Sequence, residues 1–226
     1  MRNIVIIAGR GKLAGSIIHG LNNYNGDYTI DLFENIGHYP AEQVIIVHIG
    51  SGRQLDAVID YCSLNRVPLI QGSTGMPPAK QDYNFTFIDA PNFNILMLKF
   101  MYMLREFGML YSGCDISIIE SHQHTKKTAA GTAAGIARSL GVDSSYIKSI
   151  RDRHEQVNSL KIPHEYLDLH AFHQITIEEA GTMLNFTTLV KGHESYLKGL
   201  SMIILALDKL ENRYYHVLDL INMKLV

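Results

Sequence analysis

Five successive apolar residues, Ile4 to Ala8, open the pattern, and Leu13, Ile17, Ile18 and Leu21 follow on one side of a 3.6-residue period. An unbroken run suits a strand buried on both faces, and the stripe after it is that of an amphipathic helix. Tyr28 to Phe33 and Val44 to His48 are further runs; Leu55, Val58, Ile59 and Cys62 recur at i, i+3, i+4 and i+7 before a fourth run at Val67 to Ile70. The pattern predicts repeated βαβ units, hence parallel strands joined by crossover helices. Open sheets of this kind bind ligands outside the carboxyl ends of their strands, so the loops that follow strands are the places to look for chemistry.

From residue 94 the pattern changes. It predicts a long helix from about Asn94 to Tyr111, a strand around Asp115 to Glu120, and a helix with Ala133, Ile136, Ala137 and Leu140 on one face. Tyr166 to Ile177 and Met183 to Val190 alternate apolar and polar residues and are joined through Gly181, as in a largely antiparallel sheet with one covered face. A last helix starts near Glu194, with Leu197, Leu200, Ile204, Leu207 and Leu210 in register. The architecture expected is α/β: a Rossmann-like parallel-sheet domain over 1–93, to which a helix of 194–226 returns, and an α+β domain with a mixed sheet over 94–193.

Composition narrows the partners. With 226 residues, 46% of them apolar, the chain can bury a full core. Twenty Lys and Arg against 22 Asp and Glu leave a formal charge of −2, so no global positive field gathers nucleic acid or coats an anionic membrane. The longest apolar stretch, Ile95 to Leu110, carries Lys99, Arg105 and Glu106 and reads as a core helix rather than a membrane span. Two cysteines, Cys62 and Cys114, make no disulfide framework, and the apolar run near Met1 is too short for a signal peptide. A reducing, cytoplasmic location is the expectation.

Two clusters could carry chemistry. Gly9-Arg10-Gly11-Lys12-Leu13-Ala14-Gly15 follows the first strand and opens the first helix, where glycines allow close backbone approach and helix N–H groups face a pyrophosphate. Glu34 ends the second strand, placed to accept hydrogen bonds from an adenosine ribose. Arg10, Lys12 and Arg53 could offset its charge toward a 2′-phosphate, so NADH and NADPH both stay open; a plain tight turn is the competing reading. Gly72-Ser73-Thr74-Gly75 follows the fourth strand on the same rim. The second cluster is Glu120-Ser121-His122-Gln123-His124-Thr125-Lys126-Lys127, ahead of Gly131-Thr132 at a helix start. Lysines and helix N–H groups suit a carboxylate, and a histidine can supply a proton. If the strand continues, Glu120, His122 and His124 share a face, so a zinc set completed by Glu120 or His173 is an alternative, opposed by the adjacent lysines.

The order of these features, with Ala90-Pro91-Asn92-Phe93 between the lobes, His173 in the first long strand and Tyr196 to Gly199 in the final helix, resembles the dihydrodipicolinate reductase family along nearly the whole chain. The resemblance implies reduction by NADH or NADPH of a small cyclic dicarboxylate, 4-hydroxy-tetrahydrodipicolinate, in lysine and diaminopimelate biosynthesis. By the same resemblance His122 delivers a proton, Lys126 meets substrate, and Gln123, Gly131 and Thr132 bind it. Gly9, Arg10, Gly11, Lys12, Leu13, Gly15 and Glu34 hold the cofactor, joined by Gly72, Thr74, Asn92, Phe93 and His193. It implies that 1–93 binds dinucleotide, that 94–193 binds substrate and assembles a homotetramer, and that no metal is required. Gln123 stands where the family has a second histidine, Thr128-Ala129-Ala130 is one residue shorter than the family's run, Lys12 replaces a glycine, His48 an aspartate and His193 an arginine. These departures keep open a related reductase of another carboxylate, or a nucleotide-binding sensor.

Overall fold

The computed structural model describes residues 2–24, 26–50, 52–73, 82–124 and 131–226. In chain order the strands described are β1 (Ile4–Ala8), β2 (Thr29–Leu32), β3 (Val44–His48), β4 (Leu69–Gln71), β5 (Phe87–Asp89), β6 (Asp115–His122), β7 (Lys148–Ile150), β8 (His170–Glu179), β9 (Thr182–Lys191) and β10 (Tyr214–His216). The helices are α1 (Lys12–Gly20), α2 (Leu55–Asn65), α3 (Ile95–Phe107), α4 (Gly131–Ser139), α5 (Arg153–Asn158), α6 (Glu194–Ala206) and α7 (Val217–Asn222). The chain divides into two compact units, 1–98 with 195–226, and 99–194.

The first unit is built on a six-stranded parallel sheet in the order β10-β5-β4-β3-β1-β2. β1 and β3 are buried along their whole length, which is why both read as unbroken apolar runs. Ile4, Ile6, Val44, Ile46 and Leu69 form one core with Val58 and Cys62 of α2 and with Phe85 and Phe87. Burial pushes the Cys62 thiol pKa up, so it behaves as a small apolar side chain. The chain passes from β1 to β2 on one side and to β3 on the other, so the order reverses between β1 and β3, where a doubly wound sheet opens a crevice.

Two strands of this sheet carry no periodic signal. β5 and β10 are three residues each and lie beside one another in register, Tyr214 with Phe87 and His216 with Asp89. An aromatic cluster marks the junction: Tyr83 stacks on Phe87 with ring centroids 4.6 Å apart, and Tyr214 lies 5.8 Å from Phe87. α6 approaches this unit's backbone closely at Gly199, where an added Cβ would fall 1.6 Å from the carbonyl oxygen of Phe93.

The second unit holds a mixed sheet in the order β7-β6-β8-β9, with β6 and β7 parallel and the other pairs antiparallel. Phe100 of α3 packs on Phe186 of β9 at 5.9 Å, and a smaller core gathers Ile162, Leu167 and Phe172. β8 starts at His170 rather than at Tyr166, because Pro163 leads into a short 3-10 turn over His164–Tyr166. α3 likewise stops at Phe107: at Gly108 the backbone lies so near α4 that a Cβ would sit 2.4 Å from the Ser139 carbonyl oxygen.

β8 and β9 are joined by a two-residue turn with positive φ at both positions, 48° at Ala180 and 82° at Gly181. Gly181 suits such a turn; Ala180 carries the steric cost of the left-handed region, which Asn tolerates better. Ala180→Asn is therefore expected to stabilise the protein by about 1 kcal/mol, read as a raised midpoint in urea titration.

Candidate functional site

In the first unit, the carboxyl ends of β1, β2 and β3 surround a cleft of about 640 Å³ lined by Ala8, Gly9, Arg10, Gly11, Glu34, His48, Gly50, Arg53 and Gln54. It lies at the point where the strand order reverses. Gly9 has φ 151°, and a Cβ there would be 1.6 Å from the Ile49 carbonyl oxygen; only glycine lets the β1 and β3 loops touch. Gly11 is the N-cap of α1 and supplies no side-chain cap, so the helix presents first-turn N–H groups and the positive end of its dipole. A Cβ on Gly11 or Gly15 would meet nothing within 4 Å, which keeps the approach to those N–H groups open.

Arg10 reaches across the cleft and donates to Glu34 Oε1 at 2.8 Å, an exposed pair of little stabilising worth. The backbone N–H of Glu34 and then the Arg10 guanidinium hold this carboxyl below the usual range. Lys12, Leu13 and Gly15 belong to the first turn of α1, beyond the residues that line the cleft.

Under the cleft lies a buried network that sequence reasoning missed. His48, 1% exposed, places Nε2 3.2 Å from the Arg53 carbonyl oxygen and Nδ1 2.9 Å from Ser73 Oγ, while the Gly50 N–H donates to that same hydroxyl at 3.0 Å. With Nε2–H donating to Arg53, the neutral ring leaves Nδ1 to accept from Ser73, the shorter of its two contacts, with Gln71 Oε1 3.4 Å away. The network ties the loop after β3 to the end of β4, so the residue in the family's aspartate position braces the floor. The signal was available, since β3 flanks the reversal point as β1 does.

Gly72 donates its N–H to the His48 carbonyl at 2.8 Å and abuts the Phe93 ring, which is buried. Asn92 Oδ1 accepts from the Asn94 N–H at 2.8 Å and shapes the entry to α3. Thr74 lies outside the described residues.

In the second unit, β6 ends at His122, so the expected shared face holds for Glu120 and His122 but not for His124. His124 stands half-exposed beside Arg153 and Asp168, its Nδ1 3.8 Å from Asp168 Oδ1. Among the described residues no group of three or more His, Cys, Asp or Glu is placed to hold a metal, and the zinc alternative is not assembled. Instead Glu120, 1% exposed, takes three donors: His122 Nδ1 at 2.6 Å, Arg151 Nη2 at 2.6 Å and the Ser149 hydroxyl. Burial raises this carboxyl's pKa, but the bonds from His122, Arg151 and Ser149 outweigh it and hold it down at about 2. Gln156, wholly buried, donates to the His122 carbonyl at 2.8 Å and to Ser121 Oγ at 3.0 Å. The rings of His122 and His173 meet edge to face at 5.9 Å. Arg151, Ser149 and Gln156 gave no signal in the sequence.

Gln123 follows β6, Gly131 and Thr132 open α4, and His193 lies between β9 and α6, all within 99–194. Lys126 lies outside the described residues. No described helix is long and apolar enough to cross a membrane.

A family model described as "Dihydrodipicolinate reductase, C-terminus" matches residues 95–221, more than half of the chain. A rice (Oryza sativa subsp. japonica) protein named "Probable 4-hydroxy-tetrahydrodipicolinate reductase 1, chloroplastic" is 29% identical over 155 residues, covering 62% of this chain and 45% of that protein. An Arabidopsis thaliana protein named "4-hydroxy-tetrahydrodipicolinate reductase 1, chloroplastic" is 28% identical over 176 residues, covering 69% and 51%. The chain spans about half the length of these curated relatives. A solved structure described as "Dipicolinate bound Dihydrodipicolinate reductase from Paenisporosarcina sp. TG-14" superposes with a TM-score of 0.68 over 96% of this chain and 98% of that one at 19% identity, a likeness of fold. With the model match running from α3 into α7, and the motif order that suggested the same kinship, the chain belongs to the dihydrodipicolinate reductase family.

Proposed function

We propose that the protein reduces a small cyclic dicarboxylate with NADH or NADPH, converting 4-hydroxy-tetrahydrodipicolinate to tetrahydrodipicolinate: the 4-hydroxyl leaves as water, and the ring double bond so formed takes up one hydride and one proton. The observation that carries this reading is the cleft at the reversal point of the parallel sheet, where a glycine-only contact, an uncapped helix N-terminus and an acidic residue one strand away fit a dinucleotide. When bound, a nicotinamide dinucleotide supplies the hydride.

The chain's own residues do the rest. Gly9, Arg10 and Gly11, with Lys12, Leu13 and Gly15 of the first helical turn, hold the pyrophosphate. Glu34 accepts from the adenosine ribose, and its pairing with Arg10, with Arg53 nearby, suits either a 2′-hydroxyl or a 2′-phosphate. Gly72, Thr74, Asn92, Phe93 and His193 serve the nicotinamide side. Gly131 and Thr132, at the start of the nine-residue α4, take a substrate carboxylate through helix N–H groups. Gln123 and Lys126 bind the substrate beside them, and His122 protonates the carbon next to the one that has received the hydride. In this reading 1–93 with 194–226 binds dinucleotide, and 94–193 binds substrate and assembles the homotetramer. Exposed Met183 and Leu189 on β9 suit such assembly.

Mixing the protein with freshly generated substrate and either reduced nucleotide is expected to consume the near-ultraviolet absorbance of the cofactor, and Lys126→Ala to slow this by at least about tenfold. No oxidation with either nucleotide would contradict the proposal; an unchanged rate in the variant would remove Lys126 from the site.

A further inference from the structure

We infer that Glu120 is the positioning residue for His122: it fixes which ring nitrogen exchanges protons and favours the charged ring, while Arg151 divides the same carboxylate and limits that effect. The inference rests on the reductase reading for its catalytic meaning, but its geometry stands alone.

Glu120 and His122 are two residues apart on β6 and so project to the same side of the sheet. Glu120 Oε2 accepts from His122 Nδ1 at 2.6 Å, which commits Nδ1 to carrying a proton and leaves proton exchange to Nε2. The other oxygen, Oε1, accepts from Arg151 Nη2 at 2.6 Å and from the Ser149 hydroxyl, both supplied from the edge strand β7 and the residue after it. Arg151 is itself held by the Ile150 carbonyl at 3.0 Å. The carboxylate therefore stays ionised, and a full negative charge touches the ring of a residue placed to deliver a proton.

Among the described residues, His173, His170 and Arg151 lie near the ring or its carboxylate partner. His173 on β8 meets it edge to face at 5.9 Å and bonds to Thr188 through Nδ1 at 3.0 Å. His170, also on β8, interacts electrostatically with His122; its Nδ1 donates to the Tyr166 carbonyl and its Nε2 accepts from Ser121, an arrangement of the neutral ring. Arg151 is a fixed cation in contact with Glu120. Glu120 is the anion among these groups.

Opposite shifts in two variants follow. Glu120→Gln removes the anion, and the His122 titration midpoint is expected to fall by about one unit or more. Arg151→Met removes a cation and leaves the carboxylate to His122 and the neutral Ser149 hydroxyl, so the midpoint is expected to rise. The ring is followed by nitrogen-15 spectra of histidine-labelled protein across pH, with His122→Gln assigning its signals. The alkaline limb of the kcat/KM profile is measured alongside and is expected to move the same way in each variant. Thermal melting confirms that each variant is folded, and Arg151→Met carries the test if Glu120→Gln does not fold.

An unmoved midpoint, or shifts in the same direction, overturns the coupling. A midpoint that moves while the kcat/KM limb stays in place overturns the catalytic role. If no variant and no parent protein turns over substrate, the reductase reading fails while the titrations still decide the coupling.

Discussion

Gly9→Ala is expected to cost about 4 kcal/mol or more of stability, enough to remove much of what a domain has. Two independent penalties meet at this position. Its φ of 151° is one that an L side chain rarely adopts, and an added Cβ would sit 1.6 Å from the Ile49 carbonyl oxygen, where no side-chain rearrangement can help because the clash is with backbone. Ile49 cannot retreat cheaply, since its N–H donates to the Ala8 carbonyl at 2.8 Å. Gly11→Ala is the contrasting control: a Cβ there meets nothing within 4 Å, so the fold is expected to lose no more than about 1 kcal/mol while dinucleotide binding weakens. Urea titration of both variants decides the point, and equal stability of Gly9→Ala and the parent would show that the two loops are not in contact.

The second large effect appears in acid. Glu120's folded pKa, about 2, lies below its ordinary 4.5, so the unfolded chain takes up this proton first. The stability the group contributes is complete above about pH 4.5 and is lost as pH falls toward 2. A difference of about 2.5 units corresponds to about 3 kcal/mol. Glu120→Gln has no such proton to gain. At neutral pH it is expected to be less stable than the parent by a similar amount, because Arg151 and His122 lose their anion; below pH 4.5 the two stability curves are expected to converge. Parallel curves down to pH 2 would contradict the assignment.

What was legible in the sequence follows from how far each feature depends on its neighbours in the chain. β1 and β3 are buried on both faces and announce themselves as apolar runs, and α2 shows its stripe because Val58 and Cys62 face one core. β5, β7 and β10 are too short to show any period. β10 is a strand because it lies beside β5, about 127 positions away in the chain, and β5 because it lies between β10 and β4; the Tyr214 hydroxyl's bond to Asp89, 125 positions away, illustrates the span. The candidate site divides in the same way. Gly9, Gly11 and Glu34 follow from position after a strand, a local property. The environment of His122 does not: Glu120 is two residues away, but Ser149 and Arg151 arrive from β7, 29 and 31 residues on. His48 lay between these cases, its place at a strand end readable and its bond to Ser73 not.

Cofactor binding by the turn after β1 is tested most directly by thermal unfolding with NADH, NADPH and pyridine-2,6-dicarboxylate, singly and together. Either dinucleotide at about one hundred times its dissociation constant is expected to stabilise the protein by about 2.7 kcal/mol, a rise of several degrees, with a further rise when the diacid is added. An unfolding midpoint that neither dinucleotide moves at millimolar concentration would contradict it.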